Sequence, residues 1–149
     1  MTTSRELTVS ECDRLLRAGI VGRVALSTPD GPHIVPVNYS IHDDTVVILT
    51  SSYSVLGTYG RNTMLAFEID HIDHERHLGW SVVARGRSWA ESDPTELEAI
   101  RGSWRPKPWA TGHRTLILRI RWDSLTGRSL GTDWTHENES PVHRTLMTF

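Results

Sequence analysis

The sequence predicts a mainly β chain: a β-barrel with a few short helices, its six strands curled into a closed or partly closed antiparallel barrel. Three observations carry this. Six runs are rich in β-branched residues or alternate apolar with polar. Most of the links between them are short and turn-forming, such as Pro29-Asp30-Gly31 and Asp43-Asp44. Only two stretches of any length have a helical period.

The first of these is a lead-in helix from Val9 to Ala18 that brings Cys12, Leu15 and Leu16 to one face. Ser10 is read as its N-cap, Glu11 and Asp13 sit in the first turn where the helix dipole favours acids, and Gly19 stops it. Ile20 to Thr28 reads as the first strand. Pro29-Asp30-Gly31 turns the chain into a second, His33 to Ile41, and Asp43-Asp44 into a third, Thr45 to Thr50. Ser51 to Gly60 is small and polar, a loop with about one helical turn. Met64 to Ile72 is the fourth strand and Gly79 to Ala90 the fifth, joined by the polar segment Asp70 to His77. Asp93-Pro94 opens a helix to about Gly102, with proline at the first helical position. Trp104 to Gly112 is rich in Pro and Trp, Thr115 to Trp122 is the sixth strand, and residues from Thr132 onward read as an irregular tail.

Length and charge narrow the function. The 149 residues suit one domain spanning 1–149, since domains commonly hold about 100–150 residues. Sixteen basic against 18 acidic side chains leave a net charge of −2, which argues against a basic nucleic-acid-binding face. No apolar stretch approaches the length of a membrane span, and Met1 to Ser10 lacks the apolar core of a signal peptide. Cys12 is the single cysteine, which excludes an intrachain disulfide and favours a reducing compartment. The expected location is the cytoplasm, with no nucleic-acid or membrane partner.

Chemistry-bearing groups are few. There is no nucleophile elbow, phosphate-binding P-loop or dinucleotide fingerprint, which disfavours hydrolysis and nucleoside-triphosphate chemistry. His71, His74 and His77 alternate with acids but fall in a strand connection, so no metal site is expected there. Thr50, Ser51, Ser52 and Ser54 follow a strand, where hydroxyls and free N–H groups can hold a phosphate; an ordinary polar loop is the alternative. Pro36, within Val35-Pro36-Val37-Asn38-Tyr39, marks an edge or bulge whose backbone could meet a flat heterocycle, or simply an edge strand. Six tryptophans outnumber three tyrosines and two phenylalanines combined, so large flat surfaces are being packed or a flat ligand is being held. Trp122 and Trp89 read as packing, Trp80 follows a glycine that allows close approach to the backbone, and Trp104 and Trp109 lie in the Pro-rich segment, with core or interface packing the alternative for each.

Several segments together carry a resemblance: Val21-Gly22-Arg23-Val24-Ala25, Asp30 to Tyr39, Phe67-Glu68-Ile69-Asp70, Gly79-Trp80-Ser81-Val82, Trp109-Ala110 and Thr126-Gly127-Arg128. In order and spacing they resemble the pyridoxamine 5′-phosphate oxidase-like family of flavin-binding split β-barrels. The resemblance implies a six-stranded antiparallel split barrel, a homodimer with FMN in clefts between subunits, and an oxidoreductase acting on a small-molecule redox substrate. It places the ring along Val35, Pro36, Val37, Asn38 and Tyr39 and the phosphate near Thr50, Ser51, Ser52 and Ser54. Trp80 and Trp109 of the partner chain would close the cleft. The family reads Thr, two variable residues, Gly, Ser, Lys after its third strand, whereas this chain has Tyr53 for the glycine and Val55 for the lysine. A lysine–phosphate contact is worth about 1.5–3 kcal/mol, or roughly one to two orders of magnitude in affinity. Arg61, Arg85 and Arg87 are the candidate replacements. A deazaflavin coenzyme, whose acidic tail would want Arg85, Arg87, Arg105 and Lys107, and a non-catalytic flavin- or ligand-binding module are the alternatives.

Overall fold

The structure is a computed structural model that describes residues 4–103 and 115–131. In chain order it comprises β1 (Ser4–Glu6), α1 (Val9–Ala18), β2 (Val21–Thr28), β3 (Gly31–Asn38), β4 (Ser40–His42), β5 (Thr45–Thr50), α2 (Val55–Tyr59), β6 (Met64–Asp73), β7 (Leu78–Ala90), α3 (Pro94–Gly102) and β8 (Leu116–Leu130). Trp104, Arg105, Lys107, Trp109 and the expected tail from Thr132 lie outside the described residues.

One antiparallel sheet runs β3-β2-β6-β7-β8-β5-β4, with β1 added beside the far end of β8. Its two end strands, β3 and β4, are consecutive in the chain. The sheet therefore curls, and Tyr39 is the link between its edges. The concave side holds Val24 and Leu26 of β2, Phe67 and Ile69 of β6, Val82 and Ala84 of β7, Leu118 and Ile120 of β8, and Val46 and Ile48 of β5. Alternation along each strand sends these residues inward, as a period of two requires. Helix α1 contributes Cys12, Leu15 and Leu16 to the same core. It comes close because Gly127 faces it: a Cβ there would sit 2.7 Å from the Cys12 sulfur. Helix α3 covers the opposite side, packing Ile100 and Leu97 on Val47, Leu49 and Ile117, so β5 is buried on both faces.

Eight strands are present where six were expected. The expected His33–Ile41 strand breaks at Tyr39 into β3 and β4, because the fully buried Tyr39 ring turns inward to pack edge-on against Phe67, centroids 4.7 Å apart. Its hydroxyl donates to the Leu16 carbonyl, and burial pushes the phenol's pKa up. β1 was not anticipated because all three of its residues are exposed. The cap of α1 is Thr8, not Ser10: the Glu11 amide donates to Thr8 Oγ1 (3.2 Å) and the Thr8 amide to Glu11 Oε2 (2.7 Å), a reciprocal capping box.

Candidate functional site

Strand β3 is an open edge, paired only with β2 among the described residues. The Tyr39 amide donates to the Ile20 carbonyl. Backbone groups alternate along a strand, so the amides of Val37, Val35 and His33 face β2, and residues 32, 34, 36 and 38 face outward. Pro32 and Pro36 thus fall where no ladder donor is required. Side chains follow the other alternation. Val35 and Val37 pack against the core, whereas Pro36 is exposed and Ile34 is 71% exposed. Of the five candidate residues on this segment, Tyr39, Val35 and Val37 therefore have structural side chains, and Pro36 and Asn38, together with Ile34, shape the outward edge.

The hydroxyl cluster lies beside this edge. Within the curl β5, which this loop follows, approaches β3, although no ladder joins the two strands. Ser54 is the N-cap of α2 and its Oγ accepts from the Gly57 amide at 2.9 Å. The same oxygen lies 2.8 Å from Thr50 Oγ1 and 2.8 Å from the Ser51 carbonyl. The Ser51 hydroxyl accepts from the Tyr53 amide (3.2 Å). These contacts hold the loop in one shape. The loop is tight: a Cβ on Gly57 would come within 2.0 Å of the Ser51 carbonyl oxygen. Tyr53 projects into solvent, 96% exposed, and Val55, the first residue of α2, is 38% exposed.

Cations reach the same corner. Arg61 Nε donates to the Gly57 carbonyl at 2.6 Å, which ties its guanidinium to the hydroxyl loop. Residues 60–63 are held against β7 by Ser88, whose hydroxyl donates to the Gly60 carbonyl and whose amide donates to the Thr63 carbonyl. This brings Arg87 alongside, its Nη1 3.4 Å from the Asn62 carbonyl. Arg85, two residues back on β7, points out of the same sheet face and lies across from Ala66.

The convex face of the sheet continues the surface. The registers align Ile34, Ala25, Ala66 and Arg85 in one row, and Pro36, Arg23, Glu68 and Val83 in the next. Within the second row Arg23 pairs with Glu68 (Nε to Oε2, 2.8 Å) and reaches Asp70 at 3.1 Å. Burial nevertheless holds the Glu68 carboxyl above its ordinary pKa, despite the guanidinium.

Trp80 is not at this corner. It lies on β7 opposite Ser129, packs against the core and stacks on His71, centroids 6.4 Å apart. Thr50 pairs with Leu116 at the other end of β8. Thirteen residues of strand, about 40 Å along its path, separate these two positions. Within one chain Trp80 and the hydroxyl loop do not meet. Trp122 packs on the core, and the Arg119 guanidinium carbon lies over Trp89, 5.2 Å from the ring centroid.

This arrangement can be compared with known proteins. The sequence profile of the pyridoxamine 5′-phosphate oxidase family matches residues 8–129. The chain belongs to that family. An uncharacterized Mycobacterium tuberculosis protein shares 29% identity over 133 residues, 86% of each chain. Among solved structures, an FAD-binding protein from Mycobacterium smegmatis is 27% identical at a TM-score of 0.72, over 85% of this chain and 98% of its own. An FAD-binding protein from Mesorhizobium loti, 20% identical over 89% of this chain and 100% of its own, shares the fold at a TM-score of 0.66. The split-barrel architecture that the resemblance implied is the one found, with the hydroxyl loop, the β3 edge and Trp80 all inside the family's matched span. Among the described residues no helix is long and apolar enough to cross a membrane.

Proposed function

We propose that the protein is a flavin-dependent oxidoreductase, with FMN as its cofactor and a small-molecule redox substrate, working as a cytoplasmic homodimer. The observation that carries the reading is the convergence of three features at one corner: the open β3 edge, the rigid Thr50–Ser54 loop and the Arg61 guanidinium. Backbone groups on the outward side of Ile34 to Asn38 offer hydrogen bonds to the polar rim of a flat ring, without any side chain acting as a strong acid or base. Ser51, Ser52 and the Thr50–Ser54 hydroxyl pair offer polar contacts to a phosphate, and Arg61, with Arg87 behind it, supplies the charge that Val55 does not. A bound flavin supplies hydride or electron transfer; the protein's part is to hold it, orient it and exclude water.

The partner subunit is part of this reading. Trp80 cannot shield its own chain's corner, whereas a second copy could bring its Trp80 there. Ile34 and Met64, the latter 46% exposed, stand on the same convex face and would be covered by such a contact. Light scattering at micromolar concentration should report a dimer, and a monomer would remove the shared cleft.

The direct experiment is a visible spectrum of the purified protein, followed by titration with FMN and FAD. Flavin absorbance near one per chain, bleached by a reduced nicotinamide, supports the oxidoreductase. Flavin binding without turnover points to the non-catalytic module. A colourless protein that quenches neither FMN nor FAD fluorescence rejects the flavin reading. A deazaflavin coenzyme is the second reading, favoured by the outward Arg85 and Arg87, and titration with that coenzyme separates it.

A further inference from the structure

The structure points to a second site, away from the flavin corner, at the opposite end of β5. Here the β4–β5 turn meets the first turn of α3. His42 Nε2 lies 3.4 Å from Asp43 Oδ2 and 3.5 Å from Glu96 Oε2, and the three ligand atoms all fall within 4.8 Å of one another. We propose that His42, Asp43 and Glu96 bind a divalent transition cation of the zinc type, which pins α3 to the β4–β5 turn.

The spacing is what singles the trio out. An imidazole N–H bonded to a carboxylate sits at about 2.7–3.2 Å. Both distances here are longer, and nearly equal. Two N or O donors on a tetrahedral ion with bonds of about 2.0–2.1 Å stand about 3.3–3.4 Å apart, the edge of that tetrahedron. A single imidazole flanked by two carboxylates at that edge length is a donor set suited to zinc. Three protein ligands leave the fourth position to water.

The surroundings hold two of these ligands in place. Arg119, 3% exposed, donates from Nη1 to Glu96 Oε2 (2.8 Å) and to Glu91 Oε2 (2.8 Å). Its Nη2 donates to the His42 carbonyl (3.3 Å) and its Nε to Thr45 Oγ1 (3.0 Å). One buried guanidinium thus fixes the backbone of one ligand and the carboxylate of another, whose Oε2 accepts from Arg119 with one lone pair and keeps the other for an ion. Orientation of ligands from behind is how metal sites are preorganised. Charge points the same way: Glu91, Glu96 and Asp43 outnumber Arg119 three to one, an excess of two negative charges that a dication matches. Asp43 joins through the turn itself, where Asp43 (φ 44°) and Asp44 (φ 56°) both take the left-handed conformation of a two-residue hairpin.

The test uses the full-length, chelator-treated, flavin-free protein and Zn²⁺ alone, so it does not depend on the flavin reading. Calorimetric titration should show one Zn²⁺ per chain, with a higher melting temperature. Asp43→Asn keeps a residue that tolerates positive φ, and His42→Gln keeps the backbone contact to Arg119. Each should weaken binding at least about tenfold, with an unchanged far-ultraviolet circular dichroism spectrum. A His74→Gln/His77→Gln double variant should bind as the parent does. Absence of heat, or an affinity unmoved by both Asp43→Asn and His42→Gln, overturns the proposal.

Discussion

Replacing Val55 with lysine restores, at the first position of α2, the charge that the family pattern carries there. Val55 follows the capping Ser54 and is partly exposed, so a lysine can extend past the hydroxyl loop without displacing packed atoms. A charge-assisted contact to phosphate is worth about 1.5–3 kcal/mol when shielded, but solvent at this corner reduces it to about 1 kcal/mol. A cation at a helix N-terminus gives back about 0.3 kcal/mol, because the dipole disfavours it there. The expected gain is therefore roughly threefold in FMN affinity, shrinking at high salt. Fluorescence quenching measures it, with Val55→Met as the neutral control and riboflavin as the ligand lacking phosphate. The gain should appear for FMN and not for riboflavin. An equal gain for riboflavin, or no gain together with unaltered FMN binding in Arg61→Gln, would show that the phosphate does not lie at the Ser51–Ser54 loop.

Other residues give separate outcomes. Tyr39→Phe removes the donor to the buried Leu16 carbonyl and should cost about 1–3 kcal/mol in denaturant unfolding, yet leave flavin affinity within twofold, because its ring faces the core. Gly57→Ala forces a methyl against the Ser51 carbonyl; it should both lower the melting temperature and weaken flavin binding, and an effect on neither would mean the loop is looser than its contacts indicate. The Glu11 carboxyl is held down to about 2, from 4.5, by the Arg5 side chain and the Thr8 amide. Its folded pKa is lowered, so its stabilisation is complete above pH 4.5 and is lost as the pH falls towards 2. Glu11→Gln keeps the cap but should flatten the melting-temperature slope across that window. Arg119→Met strands the buried Glu91 without its guanidinium and should cost about 3–5 kcal/mol, read as a lower unfolding midpoint.

How much of this was legible in the sequence depends on how local the cause is. The bounds of β5, α1 and α3 follow from a β-branched run, a helical period and a proline at the helix start. The outer half of β8 gave no such signal. Beyond Trp122 its inward residues are Leu125, Gly127 and Ser129, and the glycine is there for close approach of Cys12, a contact 115 residues away in sequence. Strand β1 is polar because it is a short exposed addition to β8. At the candidate site, Pro36 announced an edge and the hydroxyl run announced a polar loop, both from neighbouring residues. That Tyr39 serves the core while Arg61 serves the loop was set by packing that no local pattern records. The Arg119 cluster was the least visible, since His42 with Thr45, Glu91 with Glu96, and Arg119 come from three separate segments and meet only because α3 folds back over β5 and β8.

The prolines of β3 have a consequence for how the molecule behaves in a crowd. An exposed strand edge ordinarily recruits other strands by offering donors and acceptors in alternation. Here two of the outward positions, Pro32 and Pro36, have a carbonyl but no N–H, so an incoming strand would find half its acceptors unmatched along that rim. The edge can receive hydrogen bonds from a small molecule, yet it is a poor template for β-polymerisation. An edge left open to solvent is in this way kept from becoming the seed of an aggregate.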